Sequence, residues 1–343
     1  MSLLSLSPIA TTQPPARGLT SKKRRSRGLV AVSLIITGVL ASCYAAISLL
    51  IAKKLAYAPH IVHDMTPDSL GLEYRDVTFP SREDQLQMHG WFIPGVLPDG
   101  SLTTRRTIIM VHGVRTNRAD KDAGLLDLSG HLARHGFAVL AFDMRGSGLS
   151  PAAPLTLGHF EQRDVLGAVD FLQSGPFPYP ELGRPGVIGG WGVSMGGATL
   201  LLAAAREPAI QAIVSDSAYA DILPILQREI PLNSRLPRLF TPGALFAARI
   251  LYGANYYAIR PAGVVASLAP RPAFFIHGAD DVYISPSHMN ELAAACTLSN
   301  AYAQTWLVPG AAHAQSFNTM LEEYVACVVA FYNEALGTDS GAA

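Results

Sequence analysis

Short apolar runs alternate along this chain with stretches whose apolar positions recur at helical spacing. Leu72 to Phe79 and Leu86 to Ile93 alternate apolar with polar residues, and the Ser81–Gln85 turn between them predicts an antiparallel hairpin. Continuous apolar runs follow at Thr107–Val111, Phe137–Phe142, Gly186–Trp191, Ile210–Ser215, Ala273–Ile276 and Gln304–Val308. Runs this short and this apolar predict buried strands. Residues 120–135, 160–173 and 316–335 read as helices between and after them. Strands alternating with helices predict an α/β fold: a mostly parallel, eight-stranded sheet with helices on both faces. Residues 221–262 break the rhythm. Prolines at 224, 231, 237, 242 and 261 fall among apolar and aromatic residues. This segment is expected to form a small helical cap over the sheet's C-terminal edge, the alternative being ordinary connecting helices.

The N-terminal pattern is different. Residues 1–27 read as a flexible basic tail ending in Lys22-Lys23-Arg24-Arg25-Ser26-Arg27. Gly28 to Ala52 carries no charge and is long enough to span a bilayer with some tilt. The basic cluster outweighs Lys53-Lys54, which places the N-terminus in the cytoplasm and the bulk of the chain on the extracytoplasmic side. Leu40-Ala41-Ser42-Cys43 offers an alternative, a lipoprotein box with Cys43 as the lipid anchor. Against it, the apolar run continues past Cys43. The expected organisation is a tail at 1–27, a transmembrane anchor at 28–52, a linker at 53–71, a folded domain at 72–337 with its cap at about 221–262, and a tail at 338–343.

Composition narrows the chemistry. The chain has 343 residues, 15% charged, with zero net charge, so nucleic acid is not an expected partner. Cys43, Cys296 and Cys327 lie far apart without metal-like spacing. No metal-ligand cluster or phosphate loop occurs, and no cofactor is expected.

The most informative stretch is Gly186 to Leu200. An apolar strand turns sharply through Gly192-Val193-Ser194-Met195-Gly196 and continues as a helix ended by Pro208. Strand, tight turn with a central Ser, and helix is the context of a nucleophile elbow. Two other readings compete. Gly190, Gly192 and Gly196, with Asp216 downstream, approximate a dinucleotide-binding loop. A small-residue turn around a buried Ser is the plainest reading.

Further motifs follow predicted strands in order: His112-Gly113, Asp143-x-Arg145-Gly146-x-Gly148-x-Ser150, His277-Gly278-x-x-Asp281 and Gly310-x-x-His313. With Gly192-x-Ser194-x-Gly196 they resemble the α/β-hydrolase superfamily over residues 72–335. The resemblance implies Ser194 as nucleophile, His313 as base and Asp281 as the acid orienting it, with Asp280 and Asp216 as alternative acids. It implies an oxyanion hole from the backbone N–H groups of Met195 and Val114. His112 is expected to orient that loop, and the Asp143–Ser150 loop to brace it. Arg115 and Asn117 lie near the mouth, while His277 and His288 have weaker claims.

A Ser at the elbow supports ester, thioester or amide hydrolysis through an acyl-enzyme. The leading expectation is a membrane-tethered serine esterase or lipase acting on a small acyl ester or lipid-like substrate. A serine peptidase of aminopeptidase type and a catalytically silent binding protein are the alternatives.

Overall fold

The apolar runs become strands in a computed structural model, which describes residues 10, 19–57, 60–298 and 302–338. The expected tails at 1–27 and 338–343 lie largely outside the described residues. The chain divides into two units, Met1–Ile47 and Ser48–Ala343. Helix α1, Leu19–Ala56, runs through the division. In the first unit its apolar residues, including Leu29, Leu34, Ile35 and Leu40, are exposed. The stretch Arg27–Ala56 is long and apolar enough to cross a membrane.

The second unit holds the sheet. Its strands are β1 Arg75–Pro80, β2 Gln87–Ile93, β3 Gly95–Val96, β4 Leu102–Thr103, β5 Arg106–Val111, β6 Ala138–Asp143, β7 Val187–Val193, β8 Ile210–Asp216, β9 Ala273–Gly278 and β10 Ala303–Val308. β3 and β4 form a small ribbon, and the other eight form one sheet in the order β1-β2-β6-β5-β7-β8-β9-β10. The first two strands pair antiparallel, β2 joins β6 antiparallel, and every pairing from β6 to β10 is parallel. β5 and β6 are buried at every position, which accounts for their unbroken apolar sequence at the centre of the sheet. β1 buries only Val77 and Phe79, as the alternation of an edge strand requires.

Helices α2 Leu125–Arg134, α3 Glu161–Ser174, α4 Met195–Ala204 and α7 Ser287–Thr297 connect the strands, and α8 Ser316–Thr319 and α9 Leu321–Leu336 end the domain. α2 and α9 pack on one face against Trp91, Ile108, Met110 and Trp191. α3 and α4 pack on each other and, with α7, on the strands from the other side. Between β8 and β9 lie α5 Ile222–Ser234 and α6 Phe240–Tyr252, followed by three single 3-10 turns. These occupy the segment expected as a cap.

Residues 53–57 and 60–71, within the expected linker, are held against the domain. α1 continues to Ala56, whose carbonyl accepts a hydrogen bond from Leu155 N–H at 2.7 Å. Asn117 Nδ2 donates to the Ile61 carbonyl at 3.0 Å, and Arg118 Nη2 lies 2.9 Å from His63 Nε2. Met65 and Leu70 pack on the core, and Pro67–Leu70 makes one 3-10 turn. These contacts let residues 60–71 lie along the domain as a strap.

Candidate active site

The parallel strands end along one edge, and their register brings the motif loops together there. Gly192 lies between Val111 and Ser215, Val193 beside Asp216, and Gly278 beside Val308. Ser194 follows β7 immediately and has φ 55° and ψ −120°, a region that L-residues avoid. A hydrogen bond from Ser194 N–H to the Asp216 carbonyl at 2.8 Å holds it there. The flanking glycines make the turn possible. A Cβ on Gly192 would lie 2.6 Å from the Gly196 carbonyl oxygen, and one on Gly196 would strike the carbonyls of Val111 and His112. α4 begins at Met195, so the first N–H groups after Ser194 open a helix N-terminus.

Ser194, His313 and Asp281 form one hydrogen-bonded chain. His313 Nδ1 lies 2.7 Å from Asp281 Oδ2, and His313 Nε2 lies 2.9 Å from Ser194 Oγ. Since ionised Asp281 can only accept, Nδ1 carries the proton and Nε2 is free to accept from the Ser194 hydroxyl. Burial alone would raise the Asp281 carboxyl. Hydrogen bonds from His277 and His313, with the charge of His313, outweigh it and hold the group below the usual carboxylate range. The other carboxylate oxygen accepts from Tyr283 N–H at 2.9 Å and Ile284 N–H at 2.8 Å. His277 Nε2 donates to the Ile284 carbonyl at 2.8 Å and lies 3.2 Å from Asp281 Oδ2, so it supports the acid.

The two alternative acids are elsewhere. Asp280 is exposed to solvent. Asp216 is buried beneath the site, where it accepts from Ser217 Oγ at 2.8 Å, Ser316 Oγ at 3.1 Å and Tyr324 Oη at 3.0 Å. Burial raises its pKa in spite of those hydroxyls. Its network reaches the histidine only indirectly, through Ala314 N–H donating to Ser217 Oγ at 3.2 Å. His288 accepts from Ala220 N–H at 3.2 Å and belongs to the base of the cap.

Val114 lies in the loop after β5, and His112, Asn117 and Asp143 hydrogen-bond around that loop. His112 is buried, with Nδ1 donating to the Gly113 carbonyl at 2.7 Å and Nε2 accepting from Met144 N–H at 3.0 Å. Burial lowers its pKa, in keeping with a neutral ring that both donates and accepts. Asp143 accepts from Arg118 N–H at 2.7 Å and Leu149 N–H at 2.8 Å. Arg118 also stacks over Trp91, 4.3 Å from the ring centroid. Asn117 borders the larger cavity near Ser194, as expected, and its Oδ1 also holds the loop by accepting from Ala119 N–H at 2.9 Å.

Two cavities meet at Ser194. One, of about 160 Å³, is walled by apolar side chains, among them Ile51, Leu55, Ile222, Leu226 and Ile230, and also contains Val114 and Met195. The other, of about 480 Å³, is the more polar of the two, with Thr116, Asp120, Lys121, Gln315 and His313 in its wall beside Ile61, Val62 and Val193. Tyr283 and Arg115 border both. The Tyr283 ring meets His313 edge-on at 5.1 Å between centroids. Tyr283, Ile51 and Leu55 were not singled out from sequence. Tyr283 lies two residues past Asp281 with nothing in its neighbours to mark it, and Ile51 is hidden inside a uniformly apolar run.

Comparison with known proteins agrees with this architecture. A profile described as alpha/beta hydrolase fold matches residues 106–240. No curated protein matches the chain. Among solved structures, the esterase Pf2001 of Pyrococcus furiosus is similar with a TM-score of 0.67 and 24% identity, over 82% of this chain and 99% of that one. Est1E from Butyrivibrio proteoclasticus is similar with a TM-score of 0.56 and 18% identity, over 77% and 99%. The acylaminoacyl peptidase of Pyrococcus horikoshii is similar with a TM-score of 0.58 and 18% identity, over 79% of this chain but only 43% of that one. Sheet order, elbow and profile together establish that this chain has the α/β-hydrolase fold.

Proposed function

We propose that the protein is a membrane-tethered serine hydrolase that cleaves carboxylic esters or thioesters through an acyl-enzyme. The observation carrying this reading is the hydrogen-bonded chain from Asp281 through His313 to a strained Ser194 at the junction of two cavities. His313 Nε2 takes the hydroxyl proton as Ser194 Oγ attacks the carbonyl carbon. The carbonyl oxygen becomes an oxyanion facing the N–H groups of Met195 and Val114. As the carbon–oxygen bond breaks, His313 returns that proton to the leaving alcohol. Water then attacks the acyl-enzyme with His313 again as base, releasing the acid and restoring Ser194.

The cavities suggest how a substrate lies. The leaving group must stand on the side of the acid that protonates it, and His313 borders the polar cavity. The acyl chain then occupies the apolar cavity and a polar alcohol the other. The similar esterases agree with this reading. An aminopeptidase would need carboxylates on the acyl side to receive a free amine, but Asp64, Asp120 and Asp122 lie on the polar side and only Glu229 borders the apolar cavity.

The tether is α1. With the basic cluster retained in the cytoplasm, the domain lies on the extracytoplasmic side. The test uses full-length protein in detergent with a fluorophosphonate probe and p-nitrophenyl esters. Labelling and turnover are expected in the wild type and absent in Ser194→Ala. Turnover retained in the variant would refute the mechanism.

A further inference from the structure

α1 does more than lead into the domain. Within Ser48–Ala56 the side chains of Ile51, Ala52 and Ala56 are buried. Ile51 and Leu55, one helical turn apart, wall the apolar cavity opposite Ile222, Leu226 and Ile230 of α5. The helix end is fixed rather than loosely apposed. The Ala56 carbonyl receives the N–H of Leu155, which itself lines the same cavity. Tyr57 meets Tyr252 of α6 edge-on at 5.7 Å, and Lys54 Nζ lies 3.5 Å from the Asn233 carbonyl at the end of α5.

We infer that Ser48–Ala56 is a substrate-binding wall. Ile51 and Leu55 determine which acyl chains the enzyme accepts, and the preferred substrates are esters whose chain is long enough to reach them. This rests on the function proposed above and names its specificity element. A cavity of this size is comparable to one that encloses a benzene ring, so a chain on the order of six carbons would fill it. An acetyl group would leave the wall untouched. The segment covers roughly 13 Å of helix axis at the ordinary rise per residue.

The experiment compares full-length wild type with Ile51→Trp, Leu55→Trp and the pair Ile51→Ala/Leu55→Ala. Leu50→Trp is the control, since Leu50 is 68% exposed and outside the cavity. Fluorophosphonate labelling confirms an assembled site in each variant. The readout is the ratio of kcat/KM for p-nitrophenyl octanoate over acetate. The Trp variants are expected to lower that ratio at least about tenfold, the scale on which apolar pockets discriminate chain length. The Ala pair is expected to move the optimum to longer chains, and Leu50→Trp to match the wild type. A chain-length profile unchanged in both the Trp and Ala variants, with labelling intact, overturns the inference and leaves the hydrolase reading standing. Absence of labelling and turnover in the wild type overturns both.

Discussion

Asp281 Oδ2 and His313 Nδ1 are 2.7 Å apart, and the proton between them stays on the histidine because the carboxyl is held below its ordinary range. In the proposed mechanism the acid thereby fixes the tautomer that Ser194 needs. Asp281→Asn removes the acceptor and lets Nδ1 accept an amide N–H instead, which turns the Nε2 proton toward Ser194. Loss of kcat by about 10⁴ is expected, with KM within a few-fold. Steady-state kinetics on an ester substrate checks this, and a loss under tenfold would remove Asp281 from the relay.

The same depressed pKa sets a pH window for stability. A carboxyl whose folded value lies below the unfolded value near 3.9 binds fewer protons in the native state. Its stabilisation is complete above the unfolded value and is lost as pH falls through the folded one. The difference in unfolding free energy between wild type and Asp281→Asn should be constant above about pH 5 and shrink below about pH 4. Denaturant titrations across that range give the answer. A difference that widens in acid contradicts the direction.

Asp216 makes a contrasting case. It accepts from three hydroxyls, one of which, Tyr324 Oη, itself accepts from Trp191 Nε1 at 3.0 Å. Asp216→Asn turns one acceptor into a donor facing those hydroxyls in a buried site. A loss of about 1–3 kcal/mol is expected. Because Asp216 touches Ser217 and Ser316 rather than His313, kcat of the folded protein should stay within a few-fold of wild type. Thermal unfolding beside kinetics separates the two effects, and a kcat loss as deep as that of Asp281→Asn would give Asp216 a share in the relay.

These carboxylates also show what the chain alone reveals. Strand, turn and motif order brought Ser194, His313 and Asp281 to notice because each follows an apolar run, and parallel strands place such loops along one edge. Asp216 follows a strand in the same way. Only the tertiary packing of Ser316 and Tyr324 against it, from α8 and α9, shows that its oxygens are occupied. The strap at 60–71 escaped notice because its hydrogen bonds are accepted by its backbone carbonyls or made through His60 and His63, and neither carries a periodic signal. Ile51 was illegible for another reason. A helix apolar on every side has no face to read, so nothing distinguishes Ile51, turned toward the cavity, from Leu50 beside it.

The backbone at Ser194 yields a prediction that reads strain rather than chemistry. Its φ of 55° and ψ of −120° mirror the extended conformation that L-residues favour, and that mirror region is comfortable only for glycine. Ser194→Ala and Ser194→Gly both remove the hydroxyl and its hydrogen bond to His313. They differ in the Cβ, which Ala keeps in the strained conformation and Gly lacks. Relief of strain is worth of order 1–3 kcal/mol, while the greater freedom of glycine in the unfolded chain offsets about 0.5–1 kcal/mol. Ser194→Gly should therefore unfold at higher denaturant than Ser194→Ala by about 1 kcal/mol, although neither supports turnover. Equal or reversed stabilities would mean that the elbow is relaxed in solution, and that the exposure of Ser194 Oγ to both cavities does not depend on a strained turn.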